Sequence, residues 1–88
     1  MKYQKLLKKL KGILSAERKA QLEKYSSLKK VLKSLRAEKK KLEKEIDEDI
    51  DDETRNEITS KLKVISKQRK KGLQVLQELK EERDGKDK

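Results

Sequence analysis

The segment Asp47-Glu48-Asp49-Ile50-Asp51-Asp52-Glu53-Thr54-Arg55-Asn56-Glu57 sets seven carboxylates in eleven residues and separates two apolar stripes of helical period. Asp is a weak residue inside a helix and a strong cap, because its carboxylate accepts from the free amides of the next turn. Thr54 followed by Glu57 has the spacing of a capping box. Acidic side chains in a first turn also suit the positive end of a helix. These residues predict a turn over about 48–52 and a second helix from about 53 to 83. The competing reading is one unbroken rod, since the segment holds neither Gly nor Pro and Ile50 lies close to the helical spacing. Such a rod of ~80 residues would be ~120 Å long.

Upstream of the turn the stripe runs through Tyr3, Leu6, Leu7, Leu10, Ile13, Leu14, Ala20, Tyr25, Leu28, Leu32, Leu35, Leu42 and Ile46, interrupted at Glu17 and Lys39. A period of 3.6 residues fits it, whereas a strict heptad slips between Ala20 and Tyr25. Downstream the stripe is Ile58, Leu62, Ile65, Leu73, Leu76 and Leu79, interrupted at Arg69 and Gly72. The chain therefore reads as all-α: one long antiparallel helical hairpin, coiled-coil-like, spanning 1–83. Helix 1 covers about 2–47, and 84–88 form a frayed tail. A break at Gly12, with Ser15 capping a new helix, is a further option. A lone Gly costs only ~1 kcal/mol inside a helix, so helix 1 is read as continuous.

Composition agrees with helices and removes much else. Half of the 88 residues are charged, with 27 Lys and Arg against 17 Asp and Glu, and there is no Cys, His, Trp, Phe or Pro. Disulfides, zinc sites and cysteine or histidine catalysis lack their side chains. A strand reading would need alternating apolar runs and turn dipeptides, which are missing. No run approaches the ~20 apolar residues of a membrane span, and the N-terminal Lys/Leu mixture is unlike a signal peptide. The expected location is the cytoplasm.

Folding about residue 50 puts helix 1 position i beside roughly position 100 − i. Leu42 then faces Ile58, Leu35 faces Ile65, Leu28 faces Leu73, Tyr25 faces Leu76 and Arg69 lies beside Leu32. Glu17 falls near Arg83. Two helices cover only part of each stripe, leaving Leu7, Leu14, Leu73, Val31, Val64 and Val75 toward water. Fully burying such a side chain is worth ~1.5–3 kcal/mol, which favours a second hairpin on the open face. The expected assembly is a homodimer forming a four-helix bundle. Its seam would comprise Leu6, Leu10, Ile13, Tyr25, Leu28, Leu32, Leu35, Leu42, Ile58, Leu62, Ile65, Leu73, Leu76 and Leu79. Helix 1 would overhang helix 2, so residues 1–14 would seek cover in the partner.

The net charge of +10 is sorted along the chain. Residues 1–41 carry fifteen basic and three acidic side chains, 42–57 carry two and nine, 58–77 carry six and none, and 78–88 carry four and five. The hairpin would have an acidic tip on a basic stem, a pattern able to guide antiparallel association. Asp47, Asp49 and Asp51 fill the first, third and fifth places of a calcium loop, but Asp52 and Ile58 stand where that loop needs Gly and Glu. No metal or cofactor site is expected. Polyanion binding is the second functional reading, through Lys5, Lys8, Lys9, Lys29, Lys30, Lys33, Lys63, Lys67, Lys70 and Lys71. Against sequence-reading of nucleic acid, Lys outnumbers Arg 22 to 5 and no aromatic platform is present for stacking bases. Residues 1–14 also have the pattern of a cationic interfacial helix, but they are read as the overhanging part of the bundle stripe, and a membrane partner is not expected. The expectation is a non-enzymatic interaction or scaffolding module that self-associates, with a protein partner unspecified. A nonspecific nucleic-acid binder is the alternative.

Overall fold

The computed structural model describes residues 2–86, and side-chain environments from Tyr3 to Asp84. The chain forms α1 (Lys2–Leu14), α2 (Arg18–Glu23), α3 (Tyr25–Ile46) and α4 (Asp52–Lys86), with no strand among the described residues. The acidic segment is a turn. Asp47 N–H donates to the Lys44 carbonyl at 3.3 Å and Glu48 N–H to Glu45 at 3.1 Å, tightening the last turn of α3. The cap of α4 is Asp51, whose Oδ1 accepts from the Thr54 backbone amide at 2.8 Å. Thr54 therefore receives the cap instead of initiating a Thr54–Glu57 capping box. The same Asp accepts because it stands three residues before a free amide, which is what the first turn of any helix offers.

The Asp51 carboxyl is held below its ordinary value of 3.8 by the hydrogen bonds from the Thr54 side chain and backbone amide. A lowered folded-state value means the cap contributes stability above 3.8 and loses it as pH falls through that lower value. In a carboxyl-carbon NMR titration Asp51 is expected to titrate with a midpoint below 3.8. A midpoint at or above it would show that the cap is not formed in solution.

α3 and α4 pack as the antiparallel pair that the two stripes predict. Arg69 Nε donates to the Leu32 carbonyl at 3.3 Å, and the Arg83 guanidinium stacks 4.3 Å from the Tyr25 ring centre. Within this pair the spacing is heptadic: Leu28, Leu35 and Leu42 of α3 meet a row of Ile58, Ile65, Gly72 and Leu79 on α4, all buried. α4 continues to Lys86, past the expected end near 83, so Asp84, Gly85 and Lys86 are helical instead of a frayed tail. The rest of that tail lies outside the described residues.

The first helix departs from expectation. The predicted continuous run over 2–47 is three segments, and α1 turns back to lie on the hairpin of its own chain. Tyr3 sits beside Lys61 and Leu10 beside Gly72, so α1 runs parallel to α4 and antiparallel to α3. The overhang expected for residues 1–14 does not exist, and the cover assigned to a partner chain is intramolecular for the described residues. The long axis measures 54 Å, the length of α4 alone, where a first helix of 46 residues would need ~70 Å. Energy favours the bend. Leu10 and Ile13 are 0% and 5% exposed, each such burial worth ~1.5–3 kcal/mol, with Tyr3, Leu6, Leu7 and Leu14 partly buried besides. The bend forfeits a few helical hydrogen bonds at a net ~1 kcal/mol each.

Even those losses are largely repaired. The break falls at Ser15–Glu17, not at Gly12. Ser15 Oγ donates to the Gly12 carbonyl at 3.2 Å, and Glu17 takes an extended backbone ahead of α2. Gln21, buried at 6% exposure, sends its Nε2 to the carbonyls of Ile13 at 3.1 Å and Leu14 at 3.2 Å. One side chain thus closes the open end of α1. A second, one-residue junction at Lys24 re-aims the chain into α3, with the Lys24 amide shared between Ala20 and Gln21 carbonyls. Gln21→Leu keeps the volume and removes the donor. It is expected to cost ~1–2 kcal/mol, because carbonyls partly shielded from water lose their partner. The check is the urea midpoint, and a midpoint equal to wild type would mean that Gln21 does not hold the bend.

Candidate functional site

With α1 laid over one side of the α3/α4 pair, the helices leave furrows along their seams. One of about 550 Å³ lies between α3 and α4. Its floor is Leu32, Leu73 and Leu76, and its banks carry Lys29, Lys30, Lys33, Arg36 and Arg69 with no carboxylate. The sequence explains this layout. On α3, Lys29, Lys33 and Arg36 follow the i, i+4, i+7 spacing and so form one ridge beside the buried Leu28–Leu35 row. On α4, Arg69, Leu73 and Leu76 repeat that spacing on the facing bank. The Arg69 stem crosses the seam and its Nε is tied to the Leu32 carbonyl, which fixes one cation in place.

Smaller furrows flank α1. One between α1 and α3 is lined by Lys5, Leu6, Lys9, Ser34, Ala37 and Glu38, and another by Lys8, Lys9, Gly12, Ile13, Lys24, Ser27, Lys30 and Val31. A third, between α1 and α4, is lined by Tyr3, Gln4, Leu7, Ser60, Lys61 and Val64. At the open end Arg18 pairs with Glu78 at 2.9 Å and Glu82 at 3.8 Å, in place of the anticipated Glu17–Arg83 contact. These side chains are half exposed, so the pairs add little to stability.

Of the expected seam residues, Leu10, Ile13, Leu28, Leu32, Leu35, Leu42, Ile58, Ile65 and Leu79 are buried inside the single chain. Leu6, Tyr25, Leu62 and Leu76 are partly buried around them. Leu73 is 44% exposed and Val64 47%. Val31, expected toward water, is buried against α1, and Leu7, Leu14 and Val75 also pack on the core. The ten lysines of the polyanion reading are all exposed, but they divide among faces. Lys5, Lys8 and Lys9 flank α1, Lys29, Lys30 and Lys33 rim the large furrow, and Lys63, Lys67, Lys70 and Lys71 line none of these furrows. Sequence reasoning missed Arg36 and Arg69 as members of the cationic bank. The signal was present, since both lie on the helical spacing that continues from Lys29 and Leu73.

Among the described residues no three carboxylates converge as a metal site would require, and no helix is long and apolar enough to cross a membrane. Comparison with protein-family models, curated proteins and solved structures found no match.

Proposed function

We propose that this chain is a non-enzymatic helical interaction module whose working surface is the α3/α4 face left open by α1. The observation that carries the reading is Leu73. It stands 44% exposed on an apolar floor in a fold whose other leucines and isoleucines among the described residues are buried or partly buried. An apolar strip with a polar rim is the usual composition of a protein-docking surface. Self-association is one form of this reading, in which a second copy supplies the cover and two hairpins complete a four-helix bundle. Nonspecific nucleic-acid binding is the second reading, supported by the exposed lysines of the stem.

Affinity capture from lysate, with and without nuclease, separates them when wild type is run beside Leu73→Glu. The docking reading expects bound proteins that survive nuclease and are lost from the variant. Capture abolished by nuclease and indifferent to Leu73 would replace it with the nucleic-acid reading. Sedimentation over a concentration series reports the two-chain form.

A further inference from the structure

We infer that the α3/α4 groove receives an acidic amphipathic helix from another protein, its apolar stripe on Leu73 and Leu76 and its flanking carboxylates on Lys29, Lys33 and Arg36. This rests on the docking reading above and names the partner's chemistry. Three observations select it.

First, the hairpin already accepts one amphipathic helix. α1 lies across the α3/α4 pair with Leu10 and Ile13 inward and Lys5, Lys8, Lys9 and Lys11 outward. A groove between two antiparallel helices fits a third helix because ridges on one enter the furrow of the others. The opposite side of the same pair offers the same furrow without an occupant among the described residues.

Secondly, the charge around the furrow is of one sign, with five cations and no carboxylate in the lining. Lys29 and Arg36 stand ~10 Å apart along α3 at ~1.5 Å per residue. Carboxylates at i, i+4 and i+7 on an incoming helix have the same repeat, so each can meet a cation while the stripe between them meets leucine.

Thirdly, a second copy of this chain satisfies only half of the requirement at a time. Joining two such floors about a two-fold axis sets a rim of five cations and no carboxylate against the same rim of the other copy, and like charges across an interface are repulsive. Sliding the copies until the cations meet the acidic turn requires a shift of ~27 Å, since residue 49 is some 18 residues from the groove centre. Leu73 then lies opposite the charged first turns of α4, around Arg55. Nucleic acid fits less well for a different reason, because phosphates would leave the leucine floor uncovered.

The test is an NMR titration of the full chain with four probes. The first is a peptide of about three heptads with Leu at a and d and Glu on the flanks. The others are its isomer with the leucines scattered, its Lys-for-Glu counterpart, and a duplex DNA of about twenty base pairs. The expected result is a set of shifts centred on Lys29, Lys33, Leu73 and Leu76 with the first peptide. Binding should be at least ~10-fold weaker for the scattered isomer, absent for the basic one, and at least ~10-fold weaker for Leu73→Asp. Equal binding of isomer or DNA at these residues would reduce the effect to polyanion attraction and overturn the inference. So would shifts on another face, or none. If the peptide fails while Leu73-dependent, nuclease-resistant capture persists, the docking reading stands and only the partner's chemistry is wrong.

Discussion

Leu10→Ala is expected to lower the melting temperature by at least ~10 °C. Leu10 is fully buried, with its Cδ1 only 3.1 Å from where a Cβ on Gly72 would lie. Truncating a buried Leu costs ~2–5 kcal/mol, the transfer energy of the lost methyls plus the cavity left behind. In a domain of this size each kcal/mol shifts the midpoint by ~4–8 °C. The experiment also discriminates between architectures. Were the first helix continuous, Leu10 would overhang the hairpin, and its loss would cost a few tenths of a kcal/mol, as at other surface positions. Thermal melting followed by circular dichroism gives the shift, and amide exchange should show α1 losing protection before α3 and α4. A melting point within ~2 °C of wild type would be inconsistent with the observed bend.

The two interior glycines give the second large contrast. A Cβ at Gly72 would lie 2.6 Å from Leu32 Cδ2 and 3.1 Å from Leu10 Cδ1, because α4 approaches α3 and α1 together at that point. Both leucines are buried and have little room to turn aside. Gly72→Leu therefore overpacks the junction of three helices at a cost of ~3 kcal/mol or more, against a gain of ~1 kcal/mol in helix propensity. The net expectation is a loss of ~2 kcal/mol or more. At Gly12 no atom would come within 4 Å of an added Cβ. Gly12→Ala should then realise the propensity gain, raising stability by ~0.5–1 kcal/mol. Chemical unfolding of both variants checks the pair. Equal effects at the two sites would mean that α1, α3 and α4 do not converge on Gly72.

The contrast between these glycines shows how much of the fold was legible. The hairpin was readable because its two determinants are local: an acidic block suited to a turn and cap, and two stripes whose registers agree. The return of α1 was not, because its turn at Ser15–Glu17 uses neither proline nor a left-handed residue among the described positions. Two traces of it were nonetheless present. Leu6 with Leu7, and Ile13 with Leu14, make the N-terminal stripe wider than a single neighbour can cover, which suits a helix touching both α3 and α4. The heptad slip between Ala20 and Tyr25 coincides with the junction at Lys24. Gln21 could not have been found from spacing. A buried amide finds its role only when a tertiary bend frees two carbonyls beside it. Gly72 interrupts the stripe in sequence, and in the fold it is the point where Leu32 of α3 and Leu10 of α1 press together against α4. The groove was half visible: its lysines and Leu73 stood out as exposed candidates, while the alignment of Arg36 and Arg69 with them depends on how α3 and α4 face one another.

The fold-back of α1 onto its own hairpin is the claim on which the open α3/α4 face depends, and one distance tests it. Gln4 of α1 and Ser60 of α4 line the same furrow. The chain has no native cysteine, so Gln4→Cys with Ser60→Cys accepts a pair of spin labels without further substitution. Dipolar spectroscopy, with the labelled chain diluted into unlabelled protein, should return a distance of ~10–20 Å, neighbouring-helix spacing plus the label arms. A continuous first helix would separate the same positions by ~54 Å, and that result would contradict the fold. So would a short distance that disappears on dilution, since the cover would then come from another chain.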